Sequence, residues 1–219
     1  MNIHDVLHGL GDIIFPPDAS CSICRGEKGM MRGYGICADC HACLAFKGQP
    51  DTAWTLPFIP ALHYDGAGAR MIQRLKYEGQ RYIARTLGRL MADAYNQNEW
   101  ALPDLLVPVP LHPKRRRKRG YNQSDLLCRE LSAILTAPYD EKALTRIRNT
   151  RTQTGLNREE RLENMDGAFT LGKGFDPAGM RILLIDDVCT TGATLYECAK
   201  VLLGSGAEDV RALVAAHGG

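Results

Sequence analysis

One stretch constrains this chain more than any other. Ile182-Leu183-Leu184-Ile185 is followed at once by Asp186-Asp187 and then by Val188-Cys189-Thr190-Thr191-Gly192-Ala193-Thr194. Four consecutive aliphatic residues without polar alternation read as a strand buried on both faces, which belongs in a parallel sheet flanked by helices. Two carboxylates stand where the run ends, and open α/β sheets bind their ligands at the carboxyl ends of strands. An ionised carboxylate accepts hydrogen bonds from vicinal hydroxyls, as on a ribose. The Thr- and Gly-rich loop that follows opens a helix. Its backbone N–H groups and the helix N-terminus favour an anion, and Thr hydroxyls add donors. Gly192 is expected to let the backbone approach a phosphate closely. A diol site beside a phosphate site describes a ribose 5-phosphate. The bland alternative is a solvated acid pair ahead of a Thr-capped helix.

The remaining chain repeats the strand–helix alternation. The readings are a short strand at Ala61–Asp65, a helix face of Ile83, Leu87, Leu90, Met91 and Ala94, and a strand Leu105–Val109 stopped by prolines. Leu127, Leu131, Ile134 and Leu135 mark a further helix, and Ala143–Ile147 a short strand. Leu195, Cys198, Ala199, Leu202 and Leu203 form the face of a helix ended by Gly204 and Gly206, before a last strand at Val210–Ala215. The predicted class is α/β with a mostly parallel sheet. Ahead of it, residues 1–50 read as an amphipathic helix (Val6, Leu7, Leu10, Ile13, Ile14) and a cysteine module. Residues 51–219 are the main domain, after a linker bearing Gly48, Pro50, Pro57 and Pro60. Asp5 and Asp12 interrupt the first apolar positions, so these do not read as a signal peptide. No run approaches the roughly 20 apolar residues of a membrane span. The expectation is a cytoplasmic chain without membrane insertion.

Cys21-x2-Cys24-x12-Cys37-x2-Cys40 pairs two CxxC turns. Each turn supplies two thiolates, and four of them suit a closed tetrahedral Zn²⁺ site with a structural role. Cys43 is an alternative fourth ligand, and His41 a weaker one. Charge is gathered elsewhere. His112–Arg158 holds 12 Lys/Arg against 4 Asp/Glu, although the whole chain is only +2. Its densest part is Lys114-Arg115-Arg116-Arg117-Lys118-Arg119, followed by Tyr121. Such a run fits a phosphate-rich partner or is simply a solvated loop. As a nucleic-acid contact it would track the backbone, with Tyr121 either stacking a base or packing in the core. A second basic loop carries Arg146, Arg148, Arg151, Gln153, Asn157, Arg158 and Arg161.

The Ile182–Thr194 stretch resembles the phosphoribosyl-pyrophosphate signature of type I phosphoribosyltransferases. By that resemblance Asp186 and Asp187 hold the ribose hydroxyls, while Cys189, Thr190, Thr191, Gly192, Ala193 and Thr194 wrap the 5-phosphate. Thr190 stands where enzymes that salvage 6-oxopurines carry an acid, which disfavours that substrate class. Cys189 reads as a buried small hydrophobe rather than a nucleophile. The resemblance widens through Leu75-Lys76-Tyr77, Pro108-Val109-Pro110-Leu111, Arg119-Gly120-Tyr121-Asn122-Gln123, Thr152–Leu156, Glu160-Arg161 and Asn164. In this order the motifs are similar to the ComF/GntX family, which also carries a four-cysteine zinc module. It implies a type I phosphoribosyltransferase fold, with Val109, Pro110, Leu111 and His112 at the pyrophosphate position and the Arg146–Arg161 stretch as a hood. It also implies handling of single-stranded DNA in the cytoplasm during transformation or nutritional DNA use, with DNA-processing proteins such as a helicase as partners. A transferase would use Mg²⁺ with phosphoribosyl pyrophosphate. Arg146, Arg148 or Lys114 would then neutralise the leaving group. A binding protein would use the same pocket without turnover, and the residues leave both readings open.

Overall fold

The computed structural model describes residues 20–27, 29–31, 33–148 and 165–218. The helix expected before the cysteines, and Arg151, Gln153, Asn157, Arg158 and Arg161, lie outside the described residues. β1 (Met30–Met31), β2 (Ile36–Cys37) and α1 (Ala38–Ala42) make the cysteine-bearing segment. There follow β3 (Asp51–Ala53), β4 (Leu56–His63), α2 (Gly66–Tyr77), α3 (Ile83–Asn96), β5 (Leu105–Pro108), α4 (Pro113–Arg119) and α5 (Gln123–Leu135). The chain continues through β6 (Leu144–Arg146), β7 (Phe169–Leu171), β8 (Arg181–Cys189), α6 (Ala193–Gly204) and β9 (Asp209–His217).

The central sheet runs β3-β4-β9-β8-β5. β4, β9, β8 and β5 run parallel to one another, and the edge strand β3 pairs antiparallel with β4. The aliphatic run of β8 shows why both faces must be covered. Leu183 and Ile185 point into a core shared with α2, α3 and α5. Ile182 and Leu184 point into a second core built with α6 and β7. β9 divides in the same way, with Leu213 and Ala215 on one side and Val210, Ala212 and Val214 on the other. Each fully buried aliphatic side chain contributes about 1.5–3 kcal/mol, so exposing either face would be costly.

Three strand and loop expectations are corrected. The strand expected at Ala61–Asp65 is β4, which begins at Leu56 and takes in Pro57 and Pro60. Pro60 is tolerated because its carbonyl faces the preceding segment, where it accepts from Gly48 N, and no strand there needs its missing N–H. β8 does not stop at Ile185 but continues to Cys189, so both aspartates lie inside a strand. Its neighbour β9 is long enough to sustain the ladder, pairing Asp186 with Val214 and Cys189 with His217. The Lys114–Arg119 run is a helix rather than a loop. His112 caps it by accepting from Lys114 N, Pro113 takes the first position, and Gly120 ends it at φ 85°. Its cations crowd the last turn, where the helix dipole favours them.

Among the described residues, the cysteine segment shares its core with the main domain. Cys21, Ile23, Ile36, Cys37 and Leu44 are buried in the cluster that holds Met71, Leu75, Leu87 and Met91 of α2 and α3. Arg74 of α2 donates to the carbonyls of Ser22 and Ile23 at 2.9 and 3.0 Å. Tyr34 donates to Asp93 Oδ2 at 2.6 Å. No helix among the described residues is long and apolar enough to cross a membrane.

Candidate ribose-phosphate site and its surroundings

The carboxyl ends of β5, β8 and β9 meet at one sheet edge. Val109 N still bonds the Ile185 carbonyl at 2.9 Å, so Val109, Pro110 and Leu111 leave β5 beside Asp186. Asp186 is buried, and its Oδ1 accepts from Ser124 Oγ at 2.8 Å and from Asp187 N at 2.9 Å. Ser124 is placed by Asn122, which caps α5 through Ser124 N and donates to the Val109 carbonyl at 3.0 Å. Asp187 Oδ1 meets Lys76 Nζ of α2 at 2.9 Å. Its Oδ2 is buried without a hydrogen-bond partner among the described residues. Burial and then the Asp187 charge push the Asp186 carboxyl up to about 7, against the opposing pull of Lys76 and Ser124. Burial disfavours the Lys76 charge, yet Asp187 and Asp186 together raise its pKa.

The loop after β8 leads into α6, which starts at Gly192 with no side chain capping it among the described residues. The first N–H groups of a helix have no carbonyl one turn earlier, so this end of the helix presents donors and the positive pole of its dipole. Thr191 Oγ1 is buried without a partner among the described residues. The Trp54 indole N–H, from the β3–β4 turn, donates to the Thr191 carbonyl at 2.9 Å and braces the loop from outside. Gly192 is needed for a reason the sequence did not suggest. It sits at φ 77°, and a Cβ there would stand 2.2 Å from Ala53 Cβ, so edge strand β3 demands the glycine. Cys189 is buried, and burial followed by the Asp186 charge pushes its thiol up to about 12, as an inert core residue requires.

Beside this edge opens a cleft of about 350 Å³, lined by Pro110, Leu111, Arg116, Asn122, Glu141 and Arg146 among others. Arg146 is buried on β6, its guanidinium 5.4 Å from the Phe169 ring centre and close enough to feel the Asp186 charge. It also helps lower the pKa of His112, after burial. Arg148 donates to the Asp166 carbonyl, and Lys114 is exposed on α4. Of the three cations expected to face a leaving group, Arg146 is the one that lines the cleft and whose charge interacts with that of Asp186. Lys76 contacts the acid pair directly, at 2.9 Å from Asp187 Oδ1. Its motif was visible in the sequence, but only the tertiary structure brings it from α2 onto Asp187.

The basic run is not a uniform face. Lys114, Arg116, Arg117 and Lys118 are exposed, whereas Arg115 and Arg119 are half-buried one turn apart. Arg116 pairs with Glu141 at 3.3 Å. Tyr121 is buried, donates to the Leu75 carbonyl, and lies under Arg81 at 4.6 Å. It packs in the core, so the stacking alternative is set aside.

In the cysteine segment, Sγ of Cys21, Cys24, Cys37 and Cys40 all lie within 4.8 Å of one another. Cys24 and Cys37 Sγ are 3.8 Å apart, which is the separation that metal–sulfur bonds of about 2.3 Å impose across a tetrahedron. Amides of Ile23 and Cys24 point at Cys21 Sγ at 3.4 and 3.5 Å, and Gly26 N at Cys24 Sγ at 3.4 Å, contacts that favour thiolates. Cys43 is exposed outside this group, and His41 packs its ring against Tyr34 and Phe46. The fourth position thus belongs to Cys40.

Fold and site define a phosphoribosyl transferase domain protein, and the family model for that domain matches residues 77–219. The chain is 33% identical over 217 residues to competence protein F of Haemophilus influenzae, covering 94% of this chain and 93% of that one. It is 38% identical over 202 residues to the DNA utilization protein YhgH of Salmonella typhi, with 87% of each covered. To competence protein ComFC of Bacillus subtilis it is 28% identical over 208 residues, covering 89% and 82%. The chain belongs to the ComF family of phosphoribosyl transferase domain proteins.

Proposed function

We propose that this protein binds phosphoribosyl pyrophosphate, or a ribose 5-phosphate or nucleotide like it, at Asp186, Asp187 and the Cys189–Thr194 loop. Its role would be the handling of incoming single-stranded DNA in the cytoplasm. The observation that carries the binding reading is Asp187 Oδ2, a buried acceptor near the carboxyl end of β8 without a donor among the described residues. Leaving such an atom unmade costs about 1–3 kcal/mol, which a sugar hydroxyl would relieve. Thr191 Oγ1, four residues on and also unpartnered among the described residues, suits a phosphate oxygen. Pro110 and Leu111 border the cleft where pyrophosphate would lie, and Mg²⁺ would arrive with it. The DNA role is supported by family membership and by the exposed cations of α4.

Residues 1–50 are read as a module whose four thiolates hold a structural Zn²⁺, preceding the phosphoribosyltransferase-like domain of residues 51–219. Turnover is a second reading, favoured by Arg146. A buried cation that lines the cleft and interacts with the Asp186 charge would offset charge on departing pyrophosphate. Calorimetric titration with phosphoribosyl pyrophosphate and Mg²⁺ tests the binding reading. Saturable binding is expected, reduced at least 100-fold by Asp187→Ala. Equal affinity of the two proteins would refute it.

A further inference from the structure

Large rings normally stay out of solvent, and isolated exceptions need no explanation. Tyr77 and Tyr82 are a pair. They are 75% and 51% exposed, at either end of the turn that joins α2 to α3. The Arg119 guanidinium, at the end of α4, sits 5.4 Å from the Tyr77 ring centre. Arg81 lies on the same turn between the two tyrosines, with its guanidinium over Tyr121. The rings and cations are held in place rather than left loose. The Tyr82 hydroxyl donates to Gln80 Oε1 at 2.8 Å, and Gln80 Nε2 donates to Glu78 Oε2 at 3.0 Å. Arg119 donates to Gln123 Oε1. Exposed Lys118 and Arg117 continue the positive surface along α4.

Aromatic planes interleaved with guanidiniums match one polymer in particular. A single strand of nucleic acid offers unstacked bases to the rings and phosphates to the cations between them, whereas a duplex hides its base faces. We propose that Tyr77 and Tyr82 form a base-stacking platform for single-stranded DNA, with Arg81 and Arg119 holding the intervening phosphates. This rests on the single-stranded DNA reading above and assigns the stacking that Tyr121 cannot perform. The platform adjoins the sugar-phosphate site. Lys76 turns inward to Asp187, and Tyr77, one residue and about 100° further round α2, turns outward.

The test is fluorescence anisotropy of a labelled oligothymidine and of an abasic strand of the same length, at several salt concentrations. Tyr77→Ala with Tyr82→Ala is expected to weaken oligothymidine binding about 30-fold or more, for two stacked bases at about 1–3 kcal/mol each. Tyr77→Phe with Tyr82→Phe should restore it, and the salt slope should be unchanged in both. The abasic strand should bind the parent protein as weakly as oligothymidine binds the alanine variant. If parent and alanine variant bind oligothymidine alike, the platform is refuted while the DNA reading stands. If the parent protein binds neither strand, the DNA reading fails and the platform with it. Both tyrosines are exposed, so the variants should keep the parent's circular dichroism and melting temperature.

Discussion

Asp186 illustrates how the proposed binding site is maintained against folding energy. Its carboxyl is buried, accepts from Ser124 Oγ and Asp187 N, and is raised to about 7 from an ordinary value of 3.8. A group whose folded pKa exceeds its unfolded one binds more protons when folded, so between about pH 4 and pH 7 the protein loses stability as pH rises. Asn in its place keeps an acceptor for Ser124 Oγ and Asp187 N but removes the charge. Asp186→Asn should therefore be more stable than the parent at pH 8, by roughly 1–3 kcal/mol. The advantage should shrink to nothing by pH 4, and affinity for phosphoribosyl pyrophosphate should fall. Thermal melts across that range decide it, and a pH-independent difference would count against the raised carboxyl. Gly192 shows the opposite relation between residue and role. Its place in the Thr/Gly loop was legible, but its steric reason, the approach of Ala53, lies 139 positions away in the sequence and was not.

At the level of elements, α4 shows how a charge run acquires direction. Seven residues are too few to form a stable helix by themselves. The His112 cap, Pro113 and left-handed Gly120 define its ends, and half-buried Arg115 and Arg119 anchor one side of it. That leaves Lys114, Arg117 and Lys118 as outward charges. Replacing these three with Ala should make the logarithmic salt dependence of oligothymidine binding shallower by roughly 2, at about 0.7 per phosphate contact. An unchanged slope would remove α4 from the DNA contact. The sequence exposed the run but not this division, because helical phase emerges only when both ends are capped. Strand β8 shows a similar limit. Its aliphatic half was plain from the sequence, but its polar half became a strand through the ladder offered by β9.

For the whole molecule, the four-thiolate cluster and the sheet domain are joined by one core. Ile36 and Leu44 pack in the cluster that contains Leu75 and Met91, and Arg74 ties α2 to the first cysteine turn. Loss of metal should therefore be felt beyond residues 1–50. A strong chelator, or Cys21→Ser with Cys24→Ser, should release about one Zn²⁺ per chain and lower the melting temperature by roughly 10 °C, at about 2–4 °C per kcal/mol for a chain of this size. Amide exchange should accelerate in α2 and α3 as well as in β1 and β2. Exchange confined to the cysteine segment would show two independent units. The sequence by itself determined what local chemistry can encode: the doubly buried strand, the acid pair beside a Thr/Gly loop, the CxxC spacing and the gathered charge. Only the tertiary structure decided which groups meet. Lys76 on Asp187, Ser124 on Asp186, Trp54 on Thr191 and Cys40 in place of Cys43 each depend on crossing helices, paired strands or the folding of one turn onto another. Those contacts join residues far apart along the chain or choose between near neighbours by geometry, and neither periodicity nor motif spacing carries that information.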